Sequence, residues 1–340
     1  MNNERVTLSM GAGGKLSEQL IEDVFLSLYG NDILNNLEDA ADLHIDGTHI
    51  AYTTDSYTVK PLFFPGGNIG TLAICGTVND LAVKGAKPVA LSAGFIIEEG
   101  FLIEDLKTIA RDMCTTMSTL GIRIVTGDTK VVSKGEVDGL FINTSGIGTI
   151  IPHMNISSRN ARTGDDIIVT GTIADHGIAI LNVREKLGFV PVVQSDVAPL
   201  FNIVERIAHF GNAIHVMRDP TRGGVASVLN EIAKASQVMI TLYETAIAVK
   251  DEVRSCCDLL GMDPLYIANE GKIVIFVDSK ITQKVLECIK QVPAGKNAVV
   301  IGKVEEHLSA DTPCPVCLKT SIGIKRFVPM LEGDPLPRIC

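Results

Sequence analysis

Residues 68–84 read NIGTLAICGTVNDLAVK, and this stretch decides the fold expected for the chain. Asn68 is a favourable N-cap, because its side-chain oxygen can accept hydrogen bonds from the first helical N–H groups. Residues 69–84 are almost all apolar or small, which predicts a helix buried on every side, with Cys75 in the core. Asp80 stands out there, since a buried carboxylate needs hydrogen-bond partners or a metal. We therefore expect Asp80 at a metal or active site.

Length and composition bound the class of protein. A chain of 340 residues is long enough for two domains, and 46% hydrophobic residues with 31 glycines suggest tightly turned α/β architecture. A net charge of −10 argues against nucleic acid as the main partner. No apolar run approaches the ~20 residues of a membrane span, and residues 1–5 lack a signal-peptide core. Eight cysteines without an export signal predict reduced thiols and a cytoplasmic location.

The region before this helix offers phosphate and metal candidates. Glycine-rich residues 10–15 precede an amphipathic helix at 16–28, and they fit either a phosphate-wrapping segment or a flexible leader. A strand at 49–54 then delivers Asp55. Asp39 and Asp55 are candidate Mg²⁺ ligands, because Mg²⁺ bound with phosphates usually takes one or two carboxylates. Glu38 and Asp42 are expected to be solvated turn acids.

After the central helix, the pattern predicts a strand at 89–97, a helix at 103–120 and a strand at 122–125. That last strand leads into Thr126-Gly127-Asp128-Thr129-Lys130, which we expect to be a turn. The acid and the lysine in this segment could bind a metal ion and a phosphate group side by side. A simple hairpin turn without a binding role is the alternative. A strand at 140–150 closes the first half, and residues 151–158 form the boundary.

The second half contains two glycine-rich helix starts. Residues 171–177 follow a strand at 167–170 and carry His176, which is either a base or a histidine making backbone contacts. Residues 218–224 precede a helix at 225–235. Pro220, two glycines and flanking arginines at a helix N-terminus predict an anion site.

Residues 269–272 read NEGK, just before a strand at 273–277. Glu270 could act as a base and Lys272 as a phosphate contact. A tight turn with a solvated charge pair is the alternative.

The cysteines divide into two groups. Cys314 and Cys317 form one C-x-x-C, but a structural zinc site needs four ligands and Cys256-Cys257 lies on a separate predicted helix. Inert thiols are therefore favoured over zinc or redox roles. The chain ends in Pro335-Leu336-Pro337-Arg338-Ile339-Cys340. Prolines stiffen this arm, so it fits either a mobile thiol carrier or a frayed terminus.

Several of these segments together resemble the HypE family of nickel–iron hydrogenase maturation factors, within the aminoimidazole-ribonucleotide-synthetase (PurM-like) superfamily. They are residues 11–14, 54–57, 61–68, 76–80, 126–131, 219–224, 269–272 and 337–340. The resemblance covers essentially the whole chain, and the terminal Pro-Arg-Ile-Cys is its most specific feature. The chain departs from the family at Met10, where a histidine is usual, and Cys314 and Cys317 are not part of the family pattern.

The resemblance implies a two-domain PurM-like fold of α/β and α+β type. Residues 1–152 would form an ATP-binding domain whose sheet pairs across a homodimer, residues 158–330 an α+β domain, and residues 331–340 a flexible tail. It also implies the activity, which is ATP-dependent dehydration of an S-carbamoyl group on Cys340 to a thiocyanate. The thiocyanate would supply cyanide to the hydrogenase iron. The implied partners are the carbamoyltransferase HypF and the HypC–HypD scaffold.

The resemblance and the charges together imply site residues. The catalytic group comprises Cys340, Glu270, Lys130 and Asp80. The cofactor group, for ATP, comprises Gly11, Gly13, Gly14, Asp55, Asn79, Thr126, Gly127, Asp128, Arg222, Gly223 and Lys272. The Mg²⁺ group comprises Asp39, Asp55, Asp80 and Asp128.

Two other functions remain open at this point. The same scaffold resembles small-molecule ATP-dependent synthetases and kinases, which need no terminal thiol. A non-catalytic thiol carrier in a maturation complex would need the thiol and would not need Asp80 or Asp128.

Overall fold

The computed structural model describes residues 5–11, 14–308, 314–331, 336 and 338–340, without the side chain of residue 307. Gly13, Pro335 and Pro337, which the sequence singled out, lie outside the described residues. Within those ranges the chain forms two mixed α/β halves, each built on one large sheet.

The first half contains a five-stranded sheet in the order β1-β2-β7-β5-β6, antiparallel except for the β5–β6 pair. Its strands are β1 (Ala41–Ile45), β2 (Thr48–Tyr57), β5 (Ala86–Glu98), β6 (Arg123–Val132) and β7 (Leu140–Ile150), and β3 (Phe63–Phe64) and β4 (Gly67–Asn68) form a separate small hairpin. The helices are α1 (Lys15–Leu20), a π-helical segment (Ile21–Leu26), α2 (Ser27–Tyr29), α3 (Ile69–Val83) and α4 (Ile103–Leu120).

The second half contains a seven-stranded sheet in the order β14-β13-β10-β12-β8-β11-β9, in which only β10 and β13 pair in parallel. The strands are β8 (Asp166–Val169), β9 (Ile214–Arg218), β10 (Val238–Tyr243), β11 (Val274–Val277), β12 (Val299–His307), β13 (Val316–Lys319) and β14 (Lys325–Phe327). The helices are α5 (Asp175–Arg184), α6 (Phe201–Ile207), α7 (Gly224–Ser236), α8 (Asp251–Leu260) and α9 (Thr282–Ile289). Short 3-10 turns cover Leu8–Gly11, Leu34–Asn36, Ala208–Ala213, Glu244–Ala246, Pro264–Tyr266 and Pro293–Gly295.

Helix α3 is the buried helix that the sequence predicts. The Asn68 side chain accepts hydrogen bonds from the backbone N–H groups of Gly70 (2.8 Å) and Thr71 (3.2 Å). The helix packs on β2, β7 and β5 on one side and against α4 and α6 on others. At Gly70 a methyl group would lie 2.7 Å from Ile109 of α4, so glycine permits this close packing. The core around α3 therefore includes residues from both halves of the chain.

The opposite face of the five-stranded sheet carries no helix of the described residues and exposes apolar side chains. Tyr52 and Ile147 are cross-strand partners on this face, and each is 42% exposed. Ile96 lies on the same face, with Lys130 as its partner on β6. Exposed apolar residues on a sheet face mark a surface suited to association.

The expected elements are largely confirmed, and one prediction is wrong. The helix at 103–120 and the strand at 140–150 have the expected bounds. Residues 126–130, expected to be a turn, instead continue β6, which pairs in parallel with β5 through Val132. The β-branched residues Val131 and Val132 extend this strand beyond the small residues. No helix within the described ranges is both long and apolar enough to cross a membrane.

Replacing Asn68 with Ala removes the α3 cap and also a 2.6 Å hydrogen bond to Asp112 on α4. We expect the free energy of unfolding to fall by about 1–2 kcal/mol, as for other lost N-caps. Urea denaturation followed by circular dichroism measures this change. Asn202→Ala, at an exposed position on α6, is the control, and equal midpoints for the two variants would contradict the capping role.

Candidate active site

A cavity of about 770 Å³ lies where the two halves meet. It is lined by residues from the N-terminal segment, β2, α3, α7 and the end of the chain. The expected site residues that line it are Gly11, Gly14, Asp39, Asp55, Asp80, Arg222, Glu270 and Cys340. The fold thus gathers the predicted thiol and most of the predicted acids around one space.

Asp80 lies in the last turn of α3, where the helix reaches the cavity. The hydroxyl group of Thr53 on β2 donates a 2.8 Å hydrogen bond to its carboxylate. Burial, and then repulsion from Asp55 and Asp219, raise the pKa of Asp80 well above its usual value. Such a carboxylate is ready to exchange a proton for a cation.

Asp55 reaches the cavity from the end of β2. Its carboxylate accepts a 3.1 Å hydrogen bond from the Tyr57 hydroxyl. That hydroxyl lies so close to α3 that a side chain at Gly76 would collide with it. Burial raises the pKa of Asp55, although Arg222 and the Tyr57 hydrogen bond act in the opposite direction. Gly76 therefore lets Tyr57 support Asp55.

Asp39 and Asp219 form the side of the cavity next to β9. Arg218, at the end of β9, makes a 2.6 Å ion pair with Asp39 and a 3.2 Å ion pair with Glu231. Burial raises the pKa of Asp39 despite this arginine. Asp219 is 6% exposed, and burial raises its pKa to about 6. No role was predicted for Asp219, although it lies in the segment 218–224, for which the sequence predicts an anion site.

Glu270 is buried at the cavity wall. This burial rules out the alternative in which residues 269–272 form a tight turn with a solvated charge pair. Its Oε1 atom has no hydrogen-bond partner among the described residues. Burial, and then repulsion from Asp219 and Asp196, raise the pKa of Glu270 well above its usual value. An unpartnered, buried carboxyl group with a raised pKa is typical of a group that accepts a proton or a cation.

Lys272 and Asn79, both expected to contact ATP, do not line the cavity. Lys272 is 7% exposed and makes a 2.9 Å ion pair with the buried Asp196. The Asn79 side chain accepts from the Leu200 N–H (2.8 Å) and donates to the carbonyl oxygen atoms of Ala198 (3.1 Å) and Glu270 (3.3 Å). Both residues therefore hold the segment around Glu270 in place. No local sequence pattern indicates this role.

The residues of β6 also lie away from the cavity. Thr126, Gly127, Asp128 and Lys130 are exposed, and Lys130 pairs with Asp128 at 3.0 Å. Asp128 and Lys130 are partners of Gly94 and Ile96 of β5, so they lie on the open face of the sheet. A single copy of the chain therefore does not bring them to the other predicted site residues.

The segment just before α7 forms another part of the wall, but Gly223, which was expected to contact ATP, does not line the cavity. Gly223 and Gly224 have φ values of 74° and 62°, and a side chain at Gly224 would meet the Leu265 carbonyl oxygen at 2.5 Å. Arg222 lines the cavity and donates a 3.0 Å hydrogen bond to the carbonyl oxygen of Gly11. This contact joins two segments that were each predicted to bind phosphate.

The end of the chain is docked against the body of the protein. The Thr58 N–H donates to the Cys340 carbonyl oxygen (3.1 Å), and the Arg338 side chain donates to Asp138 (2.9 Å). Ile339 is 1% exposed, whereas Cys340 is half-buried and lines the cavity. The mobility of the tail stays a prediction, and the docked state places its last residue beside the acids.

The remaining acid and cysteine predictions have mixed outcomes. Glu38 is not a solvated turn acid, because it accepts hydrogen bonds from the Ser157 hydroxyl (2.7 Å) and the Ser158 N–H (2.9 Å) at the domain boundary. Asp42 is half-buried and bonded to His49. Cys314 and Cys317 are buried, and within the described ranges no cluster of metal-binding type contains a cysteine.

Comparison with known proteins identifies relatives over the whole chain. Residues 37–150 match the AIR synthase related protein N-terminal domain, and residues 162–311 match its C-terminal domain. Carbamoyl dehydratase HypE of Escherichia coli K12 is 45% identical over 345 residues, spanning 100% of both chains.

Two solved structures are similar as well. The HypE chain of a HypE–HypF complex is 50% identical, with a TM-score of 0.86 over 91% of this chain and 98% of that one. The hydrogenase maturation protein HypE in complex with ATP is 44% identical, with a TM-score of 0.82 over 99% of this chain and 100% of that one.

The raised pKa of Asp219 predicts how stability depends on pH. Because the pKa rises from 3.8 to about 6 on folding, Asp219 stabilises the fold fully below about pH 4, and this contribution is lost as the pH rises through about 6. The loss is at most about 3 kcal/mol. In the absence of ligand, Asp219→Asn should therefore lose less stability than the wild type between about pH 4 and pH 7.

Urea unfolding across this pH range provides the measurement. Asp258→Asn, at an exposed position on α8, should keep the wild-type profile. If the stability of Asp219→Asn and of the wild type changed with pH in parallel, the pKa of Asp219 would not be raised by folding, and the prediction would be wrong.

Proposed function

This chain belongs to the HypE branch of the AIR synthase related protein family, and on that premise we propose that it is an ATP-dependent carbamoyl dehydratase. It converts an S-carbamoyl group on Cys340 to a thiocyanate, which supplies cyanide ligands to the iron of a nickel–iron hydrogenase. The observation that carries this proposal is that Cys340 lines the same cavity as Asp55, Asp80 and Glu270.

The reaction needs a better leaving group than an amide oxygen. The carbamoyl oxygen attacks the γ-phosphorus of ATP, and the bond to ADP breaks. One N–H proton leaves as this phosphorylated intermediate forms and ends on the released phosphate. The intermediate then loses phosphate as its C–O bond breaks, and the second N–H proton passes to a base. The products are the thiocyanate, ADP, phosphate and one proton. Phosphoryl transfer of this kind depends mainly on positioning and on charge stabilisation.

The acids Asp39, Asp55 and Asp80 would hold Mg²⁺. They fit this ion because hard cations prefer carboxylate oxygens and because burial raises the pKa of each carboxyl group, so that a bound cation would stabilise its ionised form. Bound Mg²⁺ supplies charge neutralisation for the phosphates. Asp219 adds a further carboxylate beside them.

Glu270 is the group proposed to take the N–H proton. A base works best when its pKa lies near the working pH, and burial moves the pKa of Glu270 upward toward that range. The pairing of Asp196 with Lys272 holds the backbone next to it. Lys272 is therefore proposed to position Glu270 and not to contact phosphate.

Phosphate binding is proposed for the glycine-rich segment and the start of α7. Gly11, Gly13 and Gly14 would offer backbone N–H groups, and Gly223 begins the helix whose N-terminus favours anions. Arg222, which already contacts Gly11, would add a positive charge. Asn79, whose side chain donates to the carbonyl oxygen of Glu270, is proposed to position that segment and not to contact phosphate.

A homodimer is proposed to form through the open face of the five-stranded sheet. Its apolar residues Tyr52, Ile96 and Ile147 are exposed in a single copy. The same face carries Asp128 and Lys130, so a second copy would bring these two residues, with Thr126 and Gly127, toward a partner's ATP. This arrangement accounts for their distance from the cavity of their own chain.

The proposed partners act at the tail. The related HypE was solved in a complex with HypF, which supports a HypF-type carbamoyltransferase as the donor to Cys340. A HypC–HypD complex is proposed as the cyanide acceptor, and the cytoplasm as the location. The tail, residues 331–340, would leave its docked position to meet both partners, while residues 1–152 and 158–330 keep the cavity between them.

Cys340→Ala should retain ATP binding and lose all cyano-group formation, since it removes the atom that carries the substrate. Infrared detection of thiocyanate, together with a fluorescent-nucleotide titration, measures both properties. Cys114→Ala, which removes an exposed thiol elsewhere in the protein, is the control. Undiminished product from Cys340→Ala would refute the proposal.

Asp80→Asn should still accept a carbamoyl group on Cys340 but dehydrate it at least about 100-fold more slowly, because charge stabilisation dominates such sites. Asp258→Asn is the control. Dehydration by Asp80→Asn at the wild-type rate would contradict a catalytic role for Asp80, and absence of dehydration in both proteins would favour a carrier without catalysis.

Ile147→Asp should convert a dimer of twice the 36.4 kDa chain mass to a monomer, because a charge on the open sheet face opposes apolar association. Light scattering after size-exclusion chromatography measures the mass. Leu259→Asp, at an apolar and more exposed position on α8, should leave the dimer intact. A monomeric wild type would overturn the dimer.

A further inference from the structure

We propose that His176 is a positioning residue that sets where the C-terminal thiol rests in its docked state. It does so by holding the carbonyl group of the penultimate residue, Ile339. The proposal rests on the function proposed above, because docking matters only if Cys340 reacts in this cavity.

Three successive carbonyl groups anchor the tail. The Arg338 oxygen accepts from the Lys60 N–H (3.2 Å) and the Cys340 oxygen from the Thr58 N–H (3.1 Å). Between them, the Ile339 oxygen accepts from Nε2 of His176 (2.7 Å). Lys60 and Thr58 contribute backbone groups that most side-chain substitutions would leave in place. His176 contributes a side chain to the contact that is next to the reacting residue.

The hydrogen bonds around His176 fix which ring nitrogen carries the proton. A carbonyl oxygen can only accept, so Nε2 must be the protonated nitrogen. The Ser195 hydroxyl oxygen accepts from the Val197 N–H (3.1 Å) and lies 2.8 Å from Nδ1 of His176. In the neutral ring Nδ1 carries no hydrogen, so the Ser195 hydroxyl donates to it. Burial also lowers the pKa of His176, which keeps the ring neutral.

The surroundings of His176 hold both the ring and the tail. The ring is fully buried at the start of α5 and packs edge-on against Phe64, with centroids 5.5 Å apart. At the next position, Gly177, an added methyl group would meet Leu336 of the tail at 3.3 Å. Ile339 itself is 1% exposed. The docked tail thus packs in a buried site, in which His176 makes the polar contact with Ile339.

The same loop also fixes the proposed base. Asp196 follows Ser195 and accepts from the backbone N–H groups of Glu270 (3.2 Å) and Gly271 (3.2 Å). Ser195 thereby orients the histidine that holds the tail, while Asp196 orients the backbone of Glu270. This loop therefore contacts both the histidine that holds the tail and the backbone of the proposed proton acceptor, although His176 itself does not line the cavity.

Limited trypsin digestion measures docking directly, because cleavage after Arg338 releases Ile339 and Cys340 as a mass loss. His176→Ala should be cleaved there about fivefold faster than the wild type, the factor expected for one lost hydrogen bond. His176→Gln places an amide donor near the Nε2 position and should restore protection. His209→Ala, at an exposed position, should match the wild type.

A second readout separates positioning from a general effect on the fold. Loading of Cys340 with a carbamoyl group, by a HypF-type carbamoyltransferase and carbamoyl phosphate, should be unchanged in His176→Ala, because loading uses the undocked tail. Single-turnover dehydration with Mg²⁺–ATP should slow about fivefold or more, with ATP affinity unchanged. If His176→Ala does not fold, Ser195→Ala, which removes the donor to Nδ1, carries the test, with faster cleavage at Arg338 expected.

Equal cleavage of the wild type and His176→Ala, or of the wild type and Ser195→Ala where that variant carries the test, would overturn the proposal. So would failure of His176→Gln to restore protection. The digestion needs no catalysis. Altered protection with no dehydration by the wild type would therefore reject the proposed function while leaving the positioning role intact.

Discussion

The structure depends on the enclosure of α3, because a helix that is apolar on every face must be covered on every face. Sheet strands, α4 and α6 provide that cover, and α6 belongs to the second half of the chain. Both halves are therefore held around one helix. Its single carboxylate, Asp80, emerges where these layers meet, so the packing that buries α3 also creates the cavity.

The cavity concentrates negative charge that the protein alone does not neutralise. Arg218 compensates Asp39 only in part, and burial raises the pKa values of Asp39, Asp55, Asp80, Asp219 and Glu270. Such a cluster costs stability in the absence of a cation and gains it when one binds. The docked tail brings a thiol to this same place through contacts made mainly by its backbone. The tail that carries the substrate and the cluster of acids are thus separate parts of the chain, which the fold brings together.

Much of this could be predicted from sequence, because the signals are local. The Asn68 cap, the apolar run and the lone Asp80 together specify α3 and its functional end. The strand through residues 126–130 was missed because small residues and an acid also suit a turn, and only pairing with β5 decides between them. The partner of Lys272 lies 76 positions away at Asp196. No local pattern predicts that pair, or the contact of His176 with the tail.

The central claim is that the cavity acts on the chain's own terminal thiol. Its most direct test is the intact mass of protein first loaded with a carbamoyl group and then given Mg²⁺–ATP, with proteolytic mapping of the tail. The account predicts an adduct on Cys340 that loses the mass of one water when ATP is added. An adduct on Cys340 that stays unchanged while ATP is hydrolysed would contradict it, and would mean that the cavity phosphorylates another substrate.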